Sequence, residues 1–222
     1  MSVPLYETEV RGPLKDFDKT LAFFRKNASF LEEKDRLSLI YFPQNTLDLK
    51  EMQDNPRDLR LRVTNKKAEL VMKYGPWLTH EARHEINIPI SLDKFEDTAQ
   101  LLHYLGWSFG SILATKTFAF TYRDTEFALV KNKHLNYFEA ERITESKTNT
   151  REVMAEIKSL CNQLGLSIFT EEEYLKFIDS INRAPGALFD FRKQKISEII
   201  GAYPEFFTYS FCSGLQGFLC FY

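Results

Sequence analysis

A chain of 222 residues has room for one large domain, or for one domain with an appendage. Its 29 Lys and Arg against 31 Asp and Glu leave a formal charge of −2, which excludes a broad basic surface for nucleic acid and confines any polyanion site to a local patch. Hydrophobic residues at 44% supply a core and exclude a disordered chain, while twenty Phe and ten Tyr favour strands.

Leu5 to Arg11 reads as a strand that sets Glu7, Glu9 and Arg11 on one face, because strand side chains alternate with period two. Two carboxylates and a guanidinium side by side suit water or a polar cavity rather than an apolar core. Gly12-Pro13 breaks the period, and Leu14, Phe17, Leu21, Phe24 and Leu31 then recur at helical spacing, which predicts a helix over 14–33. Arg36 to Pro43 reads as a strand, and the polar run from Gln44 to Arg57 as a loop ended by Asn55-Pro56. Arg60 and Arg62 share one face of the next strand, with Leu59, Leu61 and Val63 opposite. A turn at 65–67 leads into a strand over 69–74 that carries Lys73, stopped by Gly75-Pro76.

The stretch 84–90 alternates, with Ile86, Ile88 and Ile90 on one face and Arg83, Glu85 and Asn87 on the other. Ser91 opens a helix over 92–105 that Gly106 closes. Strands follow at 112–122, 125–131 and 136–144, the last with Glu139 and Glu141 on one face. After a polar linker at 145–150, helices fit 151–164 and 171–182, separated by Gly165, with a third near 189–201. Residues 203–222 are aromatic and irregular in pattern. These elements make an α+β chain of about eight mostly antiparallel strands, a number that closes into a β-barrel whose lining alternates with its exterior.

A charged pair at i, i+2 on a strand is ordinarily the solvated face of a half-buried sheet. Here the charges sort by sign. The two chain-distant end strands carry paired acids, Glu7 with Glu9 and Glu139 with Glu141, and the strands between carry Arg60, Arg62, Lys73, Arg83, Lys116 and Arg123. If all face one enclosure, the carboxylates repel and raise one another's pKa until a hard divalent cation such as Mg²⁺ or Mn²⁺ joins them. The bases in turn require a multiply charged anion. A metal-bound polyphosphate satisfies both sets.

This constellation resembles the CYTH superfamily, the triphosphate tunnel metalloenzymes. Glu7-Thr8-Glu9-Val10-Arg11 resembles the family's N-terminal E-x-E-x-K, Arg60-Leu61-Arg62 its R-x-R strand, Lys73 the end of its next strand, and Arg83-His84-Glu85 its R-x-E strand. Lys116 is similar to its later basic strand, and Glu139-Ala140-Glu141 to its closing E-x-E. The match spans residues 1–182, and the remaining 183–222 form an extension packed on or beside the barrel. The resemblance implies a closed eight-stranded antiparallel tunnel that binds tripolyphosphate, thiamine triphosphate or ATP with Mg²⁺ or Mn²⁺. It implies metal ligation by Glu7, Glu9, Glu139 and Glu141, and catalysis through Glu7, Glu9 and Arg11. Arg11, Arg60, Arg62, Lys73, Arg83, Lys116 and Arg123 would hold phosphate, with Glu85 in support. Family activities are inorganic triphosphatase, thiamine triphosphatase and class IV adenylyl cyclase.

Three departures stand out. Arg11 replaces the usual Lys and cannot deprotonate. Phe118 follows Lys116 where a second base is usual. Leu129, Val130 and Lys131 occupy the region, about ten positions before the closing E-x-E, that carries an acid in the family. A metal-dependent triphosphatase is therefore the leading expectation, with an adenylyl cyclase or an inert triphosphate binder as alternatives.

The remaining signals are bland. His80-Glu81-Ala82-Arg83-His84 spells H-E-x-x-H, but on a strand the two His stand about 13 Å apart (four residues at ~3.3 Å) and cannot chelate one ion. No glycine-rich phosphate loop is present. Cys161, Cys212 and Cys220 are odd in number and form no CxxC, which fits reduced thiols in a cytoplasmic protein. Neither a signal peptide nor a membrane-spanning run is visible. For the aromatic tail, a cover over one barrel face, a homodimer contact and a plug for a tunnel mouth all remain open.

Overall fold

Nine described strands form one antiparallel sheet, in a computed structural model that describes residues 6–48, 55, 57–75, 84–144 and 150–208. The strands are β1 (Tyr6–Pro13), β2 (Ser29–Tyr41), β3 (Arg57–Thr64), β4 (Lys67–Tyr74), β5 (His84–Ile90), β6 (Phe109–Tyr122), β7 (Thr125–Asn132), β8 (Asn136–Thr144) and β9 (Leu188–Asp190). The helices are α1 (Phe17–Asn27), α2 (Phe95–Tyr104), α3 (Thr150–Gln163), α4 (Glu171–Asn182) and α5 (Ile196–Ala202). Hydrogen bonding runs in the order β1-β8-β7-β6-β2-β3-β4-β5, and β9 adds to β6. Among the described residues β1 and β5 do not pair, so the eight-stranded order is an open ladder rather than a barrel closed by hydrogen bonds.

Directly opposed residues of an antiparallel pair share a face, so register assigns every side chain. One face collects Val10, Phe118, Phe120, Phe127, Leu129 and Phe138, which pack under α1 and α3 with Phe17, Leu21, Phe24, Ile157 and Leu160. Further along the same face, Leu37, Leu39, Leu59, Leu61 and Val63 pack under α2, β9 and α5 with Phe95, Phe189, Phe191 and Ile199. Burying each such side chain contributes about 1.5–3 kcal/mol, and a one-residue slip would forfeit the whole set. Arg11, Arg60, Arg62, Lys73, Glu139 and Glu141 are thereby left on the opposite face.

Two-residue turns fix that register. Asn65 and Lys66 between β3 and β4, and Arg123 and Asp124 between β6 and β7, all take positive φ, the pattern of the hairpin turn that matches strand twist. Asn65 also accepts from the Asp35 amide at 2.8 Å and donates to the Glu33 carbonyl at 2.9 Å, tying the hairpin to β2.

The expected helix over 14–33 ends at Asn27, and β2 begins at Ser29. Leu31 fits the helical period, but Phe30 and the residues after it pair with β6 instead, opposite Phe120 and Ala119. The third helix expected near 189–201 divides into β9 and the shorter α5. Phe189, Phe191, Ile196, Ile199 and Phe206 join the second core, so described residues past 182 cover the sheet. Cys161 is a buried free thiol, while Cys212, Cys220 and all of 209–222 lie outside the described residues. No described helix is long and apolar enough to cross a membrane.

Candidate active site

The residues facing away from both cores form a surface rich in charge, with Ile40, Val71, Ala128 and Val130 set among the charged side chains. Its rows follow from pairing: Arg11 opposite Glu139, Glu9 opposite Glu141, and Glu141 opposite Glu126. Arg36, Arg60, Arg62, Glu69, Lys73 and Glu85 belong to the same face on β2 to β5. In a flat sheet the four strand steps from β8 to β3 would separate them by ~19 Å at ~4.8 Å a step. Glu139 nevertheless lies in the electrostatic field of both Arg60 on β3 and Lys73 on β4. The sheet therefore curls its polar face inward.

At the acidic end, Arg11 is the hub. Its Nε donates to Glu139 Oε1 at 2.8 Å, and its Nη2 lies 2.6 and 2.7 Å from the two carboxylate oxygens of Glu9. Its Nη1 donates to the Tyr174 hydroxyl at 3.1 Å, and the guanidinium carbon stands 5.4 Å from that ring's centroid. Arg11, Glu9 and Glu139 keep 23%, 26% and 29% of their side-chain surface accessible, yet desolvation is the largest influence on Arg11 and Glu139. Partial access combined with strong desolvation marks the lining of a concave interior. Burial alone would raise the Glu139 pKa, but Arg11, Lys73 and Arg60 hold it below the usual carboxylate range. Burial alone would lower that of Arg11, and Tyr174, Glu9 and Glu139 outweigh it.

Register sets Glu9, Glu141 and Glu126 in one row of carboxylates across three adjacent strands. All-oxygen donors from neighbouring strands are the donor set of a hard divalent ion, so these residues fit Mg²⁺ or Mn²⁺. Among the described residues no three of them already converge to ligating distance, and Arg11 lies between Glu9 and Glu139. Register brings Glu126, an acid outside the stretch 129–131, opposite Glu141. Its signal was the alternation of Glu126 with the core residue Phe127.

At the basic end the cations are mostly paired along and across strands. Arg60 forks onto Asp58 at 2.8 and 2.7 Å, Arg62 Nε bonds Glu69 at 2.7 Å, and Lys73 Nζ bonds Glu85 at 2.9 Å. Burial works against Glu85, but Lys73, Asn87 and Arg62 lower its pKa. Arg36, which sequence reading passed over, donates Nε to the neutral Thr64 hydroxyl at 2.9 Å. Burial and the adjacent Arg62 lower its pKa. The clue was its alternation with Leu37 and Leu39 in a strand that otherwise reads as apolar.

Two expected phosphate-binding bases are not brought to this face. Lys116 pairs in register with Asp35 and Lys131, which turns it to the other side, where it bonds Glu33 at 2.5 Å in solvent; Thr115 and Thr117 take the polar positions. Phe118, likewise, is core rather than a replaced base. Arg123 occupies the β6–β7 turn and donates to Gln163 on α3 at 3.0 Å. Glu7 is a β1 residue opposite Ile143 whose side chain lies outside the described residues, as does Arg83 entirely. His80 and Glu81 of the H-E-x-x-H also lie outside them, and His84 opens β5.

Helix α4 covers the acidic end. A capping box between Thr170 and Glu173 starts it, and Phe169 donates its amide to the Arg11 carbonyl at 2.9 Å, which lays the preceding segment along the edge of β1. Gly12 permits this approach, since a Cβ there would stand 1.9 Å from the Ser167 carbonyl oxygen.

No family model and no curated protein matches the sequence. Solved structures do. The PH1819 protein of Pyrococcus horikoshii OT3 is 21% identical, with a TM-score of 0.62 over 78% of this chain and 98% of its own. A candidate adenylate cyclase of Vibrio parahaemolyticus is 19% identical, with a TM-score of 0.58 over 77% and 98%. The Hippeastrum protein HpAC1, a candidate adenylyl cyclase described as having a dominant triphosphatase activity, is 13% identical, with a TM-score of 0.51 over 78% and 95%. Identity at this level carries the fold alone, and on that ground the chain has the fold of the CYTH-type proteins.

Proposed function

We propose that this chain is a metal-dependent hydrolase of inorganic triphosphate or a small organic triphosphate. The observation that carries the reading is the shared inward face, with carboxylates of β1, β7 and β8 curled toward the bases of β2, β3 and β4. In this reading the curled sheet is a tunnel whose ends, β1 and β5, approach around the bound anion. Arg36, Arg60, Arg62 and Lys73 grip successive phosphoryl groups, and Arg11 faces the terminal one. Glu7, Glu9, Glu126, Glu139 and Glu141 hold Mg²⁺ or Mn²⁺. When bound, the ion supplies Lewis-acid polarisation of phosphoryl oxygens and a more acidic water. The protein's own contribution is positioning and fixed positive charge in a desolvated cleft, which supplies most of the rate in phosphoryl transfer. Arg11 stays protonated and stabilises charge rather than taking a proton.

Incubation of the full-length protein with tripolyphosphate and Mg²⁺ or Mn²⁺ is expected to release orthophosphate. The absence of release from neutral to alkaline pH would overturn the hydrolase. The candidate adenylate cyclase among the structural neighbours favours a second reading, in which ATP yields cyclic AMP and pyrophosphate in the same assay. The seat of Arg11 between Glu9 and Glu139 favours a third, triphosphate binding without turnover.

A further inference from the structure

Arg11 is held on more sides than phosphate binding requires. A guanidinium has five N–H donors in a rigid plane, and Arg11 directs its three nitrogens to Glu139, Tyr174 and Glu9. The carboxylate oxygens it bonds are those a divalent ion would take. Tyr174 is itself fixed: its ring packs on Phe177 at 6.2 Å and Phe169 at 6.1 Å, on a helix docked to β1 through the Phe169 amide.

We infer that Tyr174 is a positioning residue that keeps Arg11 as a built-in counter-ion between Glu9 and Glu139, so that a divalent cation reaches this pair only by displacing the guanidinium. The inference rests on the metal site proposed above. A +2 ion brought to the same oxygens meets both a competitor for its ligands and a like charge at contact distance. Tyr174 acts near pH 7 by anchoring the competitor through its hydrogen bond, burial having raised the pKa of its hydroxyl. Loosening Arg11 should therefore strengthen cation binding.

The test titrates Mn²⁺ alone into the metal-free full-length protein, followed by calorimetry and by the electron paramagnetic resonance signal of free Mn²⁺. Arg11→Gln is expected to bind Mn²⁺ about tenfold more tightly than wild type or better, by the weight of a charge-assisted contact. Tyr174→Phe, which keeps the ring packing, should gain about three- to tenfold from loss of one hydrogen bond to a charged group. A merely structural role would leave affinity unchanged or lower it, so a gain is diagnostic. Affinities within twofold of wild type, or weaker, in both variants overturn the inference. If wild type binds Mn²⁺ and hydrolyses tripolyphosphate while neither variant gains, the competition alone falls. If none of the three proteins binds Mn²⁺, both the competition and the proposed metal chemistry fall.

Discussion

The acidic and basic ends of the polar face are balanced differently. At the acidic end one guanidinium serves two carboxylates, beside a row of Glu9, Glu141 and Glu126. At the basic end each of Arg60, Arg62 and Lys73 has its own acid, and Arg36 is hydrogen-bonded to a neutral hydroxyl while crowded by Arg62. One end gains from an added cation and the other from an added anion. The asymmetry teaches more than the count of charges does, because under the proposed function it sets an orientation, with metal toward β1, β7 and β8 and anion toward Arg36 and its neighbours.

The largest effect expected from breaking this balance lies at the acidic end. Glu139→Gln removes one of the two carboxylate partners of Arg11 and, under the proposed function, a metal donor, and should lower the rate of phosphate release from tripolyphosphate about a hundredfold or more. At the basic end Arg36→Gln is the cleanest probe, since its partner is neutral and no acid is stranded. The loss of hydrogen bonds to a charged group should raise the KM for tripolyphosphate about ten- to hundredfold, with a smaller change in kcat.

Much of this arrangement was legible in the sequence. Glu9, Arg11, Arg60, Arg62, Lys73, Glu139 and Glu141 were picked out by alternation and by sorting of sign, and register assigns them one face. The rest was not legible for identifiable reasons. Lys116 and Thr117 are adjacent, and only pairing with β2 and β7 decides which of them turns inward. Glu126 was missed because spacing along the chain stood in for register across a hairpin. Tyr174 lies 163 residues from Arg11 in sequence, and no local pattern announces that α4 folds over β1.

Acid sharpens the comparison with a moderate effect. Glu139 and Glu85 have depressed pKa values, so each contributes stability that is complete above the unfolded Glu value of about 4.3 and is lost as pH falls through the lower folded value. The Tm of the wild type should drop as pH is lowered from about 5 to 3. Without Arg11 only Lys73 and Arg60 oppose the burial of Glu139 and its pKa rises, so the Tm gap between wild type and Arg11→Gln should be widest near neutrality and narrow in acid. A gap independent of pH would remove Arg11 as the cause. The smallest effect is expected at Lys116→Ala: its solvent pair with Glu33 is worth less than ~1 kcal/mol, and neither kcat nor KM should change.

The most direct measurement is a crystal structure of the full-length protein with Mn²⁺ and tripolyphosphate, the metal located by its anomalous signal. The account predicts Mn²⁺ among the carboxylates of β1, β7 and β8, with phosphoryl oxygens reaching toward Arg36, Arg62 and Lys73. Tripolyphosphate bound at Lys116 on the opposite face, or Mn²⁺ remote from Glu9 and Glu139, would contradict it.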